Sequence, residues 1–418
     1  MRIQAPRGTE DVTPESAPRW RYVEESFRAL AARFGYGEIR TPTFEETALF
    51  VRTVGETTDI VSKEMYSFKD KGDRDISLKP EGTAPAVRAV LEHSLCPPGT
   101  ILRLAYVTPI FRYERPQKGR LREAHQCGLE ILGSSAPTAD AEIVELTYRT
   151  YAAIGLPETV VLLNSLGRDE CRADYRAAIL SHMEAFLKDS GEEARTKAEK
   201  NPLRLLDSKD PAAQEALKGL PPVTDFLEDE SRAHFDKLQS LLSDAGVPYR
   251  LAPEVVRGLD YYTGTVFEVH STALGAQGAL CGGGRYDGLV KELGGAETPA
   301  VGVGMGIERA LIALESAKAL PDAPRPEAFV IAVGAEAEGE ALKLARELRA
   351  AGMTAITDPN ARSLKSQLGQ ADKGKARFAL ILGSDEIERG IVQVRLLDRS
   401  EKLEVARGDT VAKLRELL

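Results

Sequence analysis

Polar and small side chains alternate with apolar ones between Phe111 and Gly133, on both sides of a polar loop that contains Pro116 and Gly119. An alternation of period two around such a loop predicts an antiparallel hairpin with a long connection. Alternate residues of a strand share one face, so one face should carry a cation, an amide and two carboxylates. That face would hold Arg112, Glu114, Gln126, Gly128 and Glu130, and the opposite face Phe111, Tyr113, Cys127, Leu129 and Ile131. One polar residue would indicate only a half-exposed sheet, whereas five polar or small residues on one face predict a binding site.

The charge of this segment favours an anionic ligand. The whole chain has a formal net charge of −9, which by itself argues against a nucleic-acid partner. Between Arg103 and Glu123, however, six cations stand against two carboxylates. A basic patch on an acidic protein suits ATP or the end of an RNA, and a solvated loop is the alternative.

These residues resemble motif 2 of the class II aminoacyl-tRNA synthetases, in the form found in histidyl-tRNA synthetases, and the match extends over the whole hairpin. The resemblance implies that Arg112 binds the α-phosphate of ATP, with Glu114 in the same ATP site. It also implies that Gln126 and Glu130 contact bound histidine.

The loop of the hairpin adds two implied tRNA contacts. Gln117 and Arg122 match positions that the family uses against the extra 5′ guanine of histidine tRNA and its partner base. Ala124 departs from the family pattern, because we expect an aromatic residue at this position. The departure affects the stacking of a side chain on adenine.

Two further blocks resemble the motifs that separate histidyl-tRNA synthetases from other class II enzymes. Residues 256–268 are predicted to form a turn that leads into a strand, and residues 281–288 a glycine-rich bend that lets the backbone approach a ligand. An isolated Arg-Gly or Gly-Gly-Gly usually marks only a turn, but here both blocks occur in the order of the family. The resemblance implies that Arg257 lies between the carboxylate of histidine and the α-phosphate, as a catalytic residue together with Arg112. The resemblance also implies that histidine is contacted by Arg257, Tyr261, Tyr262 and Tyr286.

A strand-to-helix junction places Glu81 and Thr83 at the entrance of a helix that continues through Val87. Free backbone N–H groups gather at such an entrance, so helix capping is the alternative to a ligand site. The resemblance implies that Glu81 binds the amino group of histidine, with Thr83 in the same site.

Residues 300–309 are predicted to form a glycine-rich strand that runs into a helix bearing Arg309. The spacing of the glycines does not fit a dinucleotide fingerprint, and the sequence has no Gly-x-x-x-x-Gly-Lys-Ser/Thr loop. The segment resembles motif 3, which implies that adenine lies on the strand and that Arg309 meets the γ-phosphate.

An amphipathic helix is predicted near the N-terminus, with Thr13 as its cap, Pro14 at its first position and Gly35 at its end. Its apolar stripe consists of Trp20, Val23, Phe27, Leu30 and Phe34. A short strand that ends at Pro42 should follow. Helix, strand and proline resemble motif 1, which implies a homodimer, although this arrangement is common among other proteins.

Length and composition limit the remaining possibilities. A chain of 418 residues with 43% hydrophobic and 28% charged residues predicts a globular protein of roughly two or three domains. No apolar run approaches the ~20 residues of a membrane span, and the first residues lack a signal-like segment, so we expect a cytoplasmic protein without a membrane contact. The four cysteines include no Cys-x-x-Cys pair and the five histidines are scattered, so no protein-bound metal site is expected.

The domain organisation follows from changes of composition along the chain. Helix formers interrupted by prolines predict a helical insertion at 169–235, and strands alternate with helices at 327–418, beyond a proline-marked linker. The resemblance implies an α+β fold with a class II catalytic domain at 1–320, built on an antiparallel sheet flanked by helices. It further implies that the insertion embraces the acceptor arm of tRNA, for which a solvated helical excursion is the alternative, and that the C-terminal α/β domain binds the anticodon, as in class IIa.

The reaction that the resemblance implies is activation of histidine with ATP to histidyl-adenylate, and then transfer to the 3′ end of tRNA-His. Attack of a carboxylate on the α-phosphate builds up negative charge and needs no protein nucleophile, so arginines and Mg²⁺ bound with ATP suffice. The main alternative is the regulatory subunit of ATP phosphoribosyltransferase, a paralogue that resembles the same core but generally lacks the C-terminal domain. An RNA-binding module without catalysis would leave the polar face of the hairpin unexplained.

Overall fold

The computed structural model describes residues 3–55, 58–117, 119–206, 208, 210–256, 259, 261–360, 362–399 and 401–418. The chain divides into two compact units, Met1–Pro321 and Asp322–Leu418. Within the described residues, no helix has the length and apolar character that a membrane crossing would need.

The first unit combines a large sheet, a small sheet and helices. Its described strands are β1 (Gly37–Glu38), β2 (Phe44–Glu46), β3 (Ser67–Lys69), β4 (Asp75–Leu78), β5 (Leu102–Phe111), β6 (Glu123–Leu132), β7 (Thr159–Ser165), β8 (Tyr249–Leu251), β9 (Thr265–Ser271), β10 (Ala279–Arg285) and β11 (Ala300–Gly306). Its described helices are α1 (Ala17–Arg33), α2 (Thr47–Val54), α3 (Thr83–Glu92), α4 (Pro137–Ala153), α5 (Asp169–His182), α6 (Glu184–Asp189), α7 (Glu192–Lys200), α8 (Pro211–Ala216), α9 (Asp229–Asp244), α10 (Leu289–Glu292) and α11 (Ile307–Ser316).

The large sheet has the order β1-β5-β6-β11-β10-β9-β7-β8 among the described strands. Its six central strands pair antiparallel, while β1 and β8 pair parallel at the two edges. The predicted alternation along the second strand of the hairpin is confirmed, since Cys127, Leu129 and Ile131 lie in the main core together with α1, α4 and α9. The residues between them therefore face the other side of the sheet, which α3 covers.

The first strand of the hairpin is shorter than predicted, because β5 ends at Phe111. Arg112 still makes one backbone hydrogen bond across the hairpin, in which its N–H donates to Arg122 O at 2.9 Å. The next amide, of Tyr113, instead donates to Glu64 O at 2.7 Å. The prediction that Arg112 and Glu114 lie on a strand face is therefore wrong, because β5 ends at Phe111 and the amide of Tyr113 bonds to a distant segment.

Two predicted local features are also wrong. The N-terminal helix begins at Ala17 rather than after Thr13, because Thr13 O accepts hydrogen bonds from Ser16 N and Ala17 N and thus closes a turn before the helix. Residues 281–285 form strand β10 rather than a bend, since they pair with β9 on one side and β11 on the other. The glycines of β10 serve close packing, because a Cβ at Gly284 would lie 2.8 Å from the ring of Tyr262.

The predicted helical character of 169–235 is seen in α5 to α9, with the last helix continuing to Asp244. These helices pack into the main core through buried residues such as Tyr175, Ile179 and Leu238. The insertion is thus continuous with the hydrophobic core beneath the large sheet.

The second unit is a mixed α/β fold. Its described strands are β12 (Ala328–Ala332), β13 (Ala355–Thr357), β14 (Phe378–Leu382), β15 (Ile391–Leu396) and β16 (Glu401–Ala406), in the sheet order β13-β12-β14-β15-β16. Its described helices are α12 (Glu338–Ala350), α13 (Leu364–Lys373), α14 (Ser384–Glu388) and α15 (Thr410–Leu417). Alternate residues of the central strands bury two separate apolar clusters, one on each face of this sheet.

Candidate active site

Glu130 lies on β6 with none of its surface exposed. Among the described residues, three hydroxyl groups donate to its carboxylate, those of Thr83 and Tyr106 to Oε1 at 2.8 Å each and that of Tyr286 to Oε2 at 2.5 Å. A carboxylate offers roughly four lone-pair positions. The hydroxyl cluster, as we call Glu130 with Thr83, Tyr106 and Tyr286, therefore has room for about one more donor, which a ligand can supply.

The two carboxyl groups of this region are both buried. Burial raises the pKa of Glu130 to about 8, against the opposing effect of the three hydroxyl donors, and the neighbouring Glu81 adds to the increase. Burial also raises the pKa of Glu81, although the backbone N–H groups of Ala84 and Thr83 and the cation of Arg112 favour its ionised form. A ligand that brings a positive charge or N–H donors would stabilise both carboxylates in their ionised forms.

Glycines on the neighbouring strands make space for the hydroxyl cluster. Gly302 of β11 stands opposite Glu130, and a Cβ there would lie 1.6 Å from Glu130 Oε2. Gly128 stands opposite Tyr106, and a Cβ there would lie 2.1 Å from the tyrosine ring. The glycine-rich strands are thus needed for close packing around polar side chains.

The start of α3 supplies Thr83 to the hydroxyl cluster, and Glu81 lies two residues before it. Glu81 accepts the backbone N–H groups of Thr83 at 2.6 Å and Ala84 at 2.8 Å, so this carboxylate caps the helix. The side chain of Thr83 is therefore available to Glu130. Arg112 is held beside this turn, since its Nε donates to Pro80 O at 2.8 Å.

Three buried tyrosines form an aromatic wall next to Glu130. The ring of Tyr261 lies 4.7 Å from that of Tyr262 and 5.7 Å from that of Tyr286, measured between centroids. The predicted catalytic residue Arg257 lies outside the described residues, as do Gly258 and Asp260.

An open cavity of about 730 Å³ lies in the first unit, and two of its lining residues, Gln126 and Gly304, share the sheet face of Glu130. The predicted ATP residues Arg112, Glu114 and Arg309 all line it, as does Gln126. Its volume lies within the range of roughly 300–1,000 Å³ that is usual for sites of small ligands and cofactors. The cavity is also lined by residues that sequence reasoning did not single out, namely Glu64, Arg120, Glu268 and His270.

The cations of the cavity are held by specific contacts. Arg309 Nε donates to Ala279 O, and burial together with the nearby Arg120 lowers the pKa of Arg309 from its ordinary value. Arg112 and Arg120 lie 3.9 Å and 3.7 Å from the carboxylate of Glu114. This arrangement concentrates positive charge where an anionic ligand would compete with Glu114 for the arginines.

Gln117 and Arg122 lie in the hairpin loop. Gln117 forms a tight turn with Arg120, and it lines a second cavity of about 600 Å³. The guanidinium of Arg122 lies 3.8 Å from the centroid of the Tyr113 ring, and its backbone N donates to Gly8 O at 2.7 Å. Arg122 thus attaches the loop to the N-terminal segment.

Tyr106 is the member of the hydroxyl cluster that sequence reasoning missed. The signal was available, because pairing of the two hairpin strands places position 106 opposite Gly128 on the polar face. No group of three or more His, Cys, Asp or Glu side chains in the described part of the chain could hold a metal ion.

The family model of histidyl-tRNA synthetase matches residues 8–310, and that of an anticodon binding domain matches residues 327–417. The chain is 46% identical over 415 residues to a histidine–tRNA ligase of Synechocystis. The alignment covers 99% of this chain and 93% of that protein. The apo histidyl-tRNA synthetase of S. aureus superposes with a TM-score of 0.82 at 35% identity, covering 99% and 100% of the two chains. A structure from Bacillus halodurans C, described as an ATP phosphoribosyltransferase regulatory subunit/histidyl-tRNA synthetase, gives a TM-score of 0.66 at 25% identity, covering 92% and 99%. The chain therefore belongs to the histidyl-tRNA synthetases, the aminoacyl-tRNA synthetases that join histidine to its tRNA with ATP.

Proposed function

We propose that this chain binds histidine at the hydroxyl cluster and ATP in the adjoining cavity, forms histidyl-adenylate there and then transfers histidine to tRNA-His. The observation that carries the proposal is the buried carboxylate of Glu130, whose hydroxyl donors leave room for an N–H group of a ligand. The ATP residues predicted from the sequence line a cavity together with Gln126, which lies on the same strand face as Glu130.

On the histidine side, Glu130 accepts an imidazole N–H. The aromatic wall, which includes Tyr262 and Tyr286, encloses the imidazole ring. Glu81 receives the ammonium group, which would favour its ionised form. Gln126 lies on the same face of β6 and adds a polar contact. A site that leaves buried polar groups unpaired when the ligand lacks an imidazole discriminates strongly against other amino acids.

On the ATP side, Arg112 binds the α-phosphate and Arg309 the γ-phosphate. Arg257, placed by the family resemblance, would bridge the α-phosphate and the carboxylate of histidine. These cations stabilise the charge that builds up as the carboxylate attacks the α-phosphate, and pyrophosphate leaves.

Mg²⁺ would accompany ATP rather than occupy a site formed by the protein alone. This ion is usually held by one or two carboxylates together with phosphates and water. Glu114 and Glu268 are carboxylates that line the cavity, so the residues present fit such an ion, which would neutralise charge on the phosphates of ATP.

For the second step, Gln117 and Arg122 of the hairpin loop contact the acceptor end of tRNA-His. The helical insertion contacts the acceptor arm, and the second unit binds the anticodon. We place the reaction in the cytoplasm, where tRNA is charged for translation.

We also propose a homodimer. The apolar stripe of α1 is not available for it, because Val23 and Phe27 are buried in the main core of the same chain. The small sheet β2-β4-β3 offers a better surface, since Phe44 and Phe68 are 55% and 48% exposed. Light scattering at micromolar concentration that shows only a 45 kDa species would count against the dimer.

The test of the proposed function is exchange of labelled pyrophosphate into ATP, with histidine added or omitted. We expect exchange only with histidine, and transfer of labelled histidine to tRNA-His in a second assay. A regulatory subunit of ATP phosphoribosyltransferase would bind histidine without supporting exchange. Binding without exchange would therefore replace the proposed function by the regulatory one.

A further inference from the structure

Arg285 is the last residue of β10 and Tyr286 follows it directly, and the side chains of the two residues reach opposite faces of the sheet. The hydroxyl of Tyr286 reaches Glu130 in the proposed histidine site. The guanidinium of Arg285 reaches Asp140 on α4, with Nε 3.2 Å from Oδ1 and a second bond from Nη2 to Oδ2. A tyrosine of the site thus adjoins a two-bond ion pair on the other side of the sheet.

This ion pair is almost completely buried, with Arg285 4% exposed and Asp140 0% exposed. Although burial by itself would raise the pKa of Asp140, the neighbouring His234 and Arg285 hold that pKa below its ordinary value. Desolvation usually offsets much of the attraction within a buried ion pair, so such a pair is a weak source of stability. The pair therefore matters more for the position of the surrounding chain than for the free energy of unfolding.

The guanidinium of Arg285 also orders the residues that follow it. Its Nη1 donates to Ser134 O at 2.9 Å and to Asp287 Oδ1 at 3.0 Å. The same oxygen of Asp287 accepts the backbone N–H of Ala300 at 3.0 Å. Tyr286 is therefore flanked on both sides by residues that this network holds in place.

The network extends to the segment that bears the other two tyrosines of the aromatic wall. Thr263, the residue after Tyr262, donates its backbone N–H to Arg285 O at 2.7 Å. Its hydroxyl accepts the backbone N–H of Asp287 at 3.2 Å. The two aromatic segments are thus joined through the backbone of Arg285 and Asp287.

We propose that Arg285 and Asp140 are a positioning pair, which sets the orientation of the three tyrosines toward Glu130 and thereby the affinity for histidine. The inference rests on the proposed function, because it takes the hydroxyl cluster to be the histidine site. Neither residue touches the substrate. Their effect reaches it through Tyr286 and through the Thr263 turn.

The test is the variant Arg285→Met, which keeps an unbranched apolar stem and removes the guanidinium with its charge and donors. The KM for histidine and the KM for ATP are measured separately by pyrophosphate exchange. We expect the KM for histidine to rise about 10- to 100-fold, the effect typical of residues that orient a binding shell. The KM for ATP should change by no more than about twofold, because neither residue of the pair lines the ATP cavity.

A matched control comes from the same helix. Arg103 makes a two-bond pair with Glu142 of α4, at 2.7 and 2.9 Å, two residues beyond Asp140. Its strand position places it on the face of the sheet opposite the hydroxyl cluster. Arg103→Met should lower the melting temperature and leave the KM for histidine unchanged.

Two more variants keep the proposal testable if Arg285→Met does not fold. Asp287→Ala removes a side chain that is 39% exposed, and we expect a several-fold rise in the KM for histidine alone. Arg285→Lys should recover part of the loss, since a lysine restores the charge without the planar fork. A folded variant at either position with a normal KM for histidine, or with equal rises in both KM values, would overturn the positioning role. A wild-type protein without histidine-dependent exchange would instead overturn the proposed function, and this inference with it.

Discussion

Gly302 on β11 stands directly opposite Glu130 on β6, and the carboxylate of Glu130 occupies the space that a side chain at position 302 would need. A Cβ at position 302 would lie 1.6 Å from Glu130 Oε2 and 2.7 Å from Leu129 O. Neither the backbone oxygen nor the carboxylate, which three hydroxyl groups of the described residues hold, can move away easily. The glycine is therefore a requirement of the site.

We expect Gly302→Ala to displace Glu130 and to raise the KM for histidine by about 100-fold, because misplacement by about 1 Å can have that effect. Overpacking should also lower stability by about 1–3 kcal/mol. The comparison variant is Gly304→Ala, whose Cβ would meet the flexible amide end of Gln126 at 2.9 Å, so its effect should be smaller. A Gly302→Ala enzyme with a normal KM for histidine would show that Glu130 does not bind the substrate.

The raised pKa of Glu130 predicts a specific dependence of stability on pH. The pKa of about 8 in the folded state exceeds the ordinary 4.5, so the folded protein keeps a proton that the unfolded chain releases. The contribution of this group to stability is complete below about pH 4.5 and is lost as the pH rises toward 8. Melting temperatures from pH 5 to 8 should therefore fall more steeply for the wild type than for Glu130→Gln. Parallel profiles would contradict the raised pKa.

Arg257 lies outside the described residues, so its prediction rests on the family resemblance. A donor placed where charge builds up in the transition state contributes about 10²–10³ in rate. Arg257→Ala should lower the rate of histidine activation by that factor with a nearly unchanged melting temperature, and Arg257→Lys should recover only part of the loss. Near-normal pyrophosphate exchange in the alanine variant would exclude Arg257 from the chemistry.

Arg122 is predicted to act on tRNA more than on activation. Arg122→Ala should slow the transfer of histidine to tRNA and leave pyrophosphate exchange less affected. Its cation also packs on the ring of Tyr113, so Tyr113→Leu serves as the control that loosens the loop and keeps the cation. If both variants slow transfer equally, loop order and not a tRNA contact of Arg122 explains the defect.

The second unit is predicted to act only on tRNA binding. It has its own two apolar clusters, so we expect removal of residues 327–418 to leave pyrophosphate exchange measurable while aminoacylation of tRNA-His becomes much weaker. An acceptor-stem minihelix has no anticodon, so the full chain and the shortened chain should charge it at similar rates. A folded shortened chain without pyrophosphate exchange would show that the second unit supports the active site.

Several residues that line the cavity could be grouped from the sequence because their motifs are local. Arg112, Glu114 and Gln126 lie within one hairpin, and Arg309 follows a glycine-rich strand directly. The structure brings all four to one cavity. Alternation along a strand likewise sufficed to assign Cys127, Leu129 and Ile131 to the core, because it depends only on the pleat of the strand itself.

The tertiary structure alone decided which hydroxyl groups bond to Glu130, because those hydrogen bonds join residues that are far apart in the chain. Thr83 is 47 positions away, and Tyr286 is 156 positions away. A distant carbonyl likewise decided the end of β5 at Phe111. The carbonyl of Glu64 accepts the backbone N–H of Tyr113, two residues beyond that end. Local periodicity shows which face a side chain is on, but hydrogen bonds and close packing across a sheet depend on which strands become neighbours, and that is a property of the whole fold.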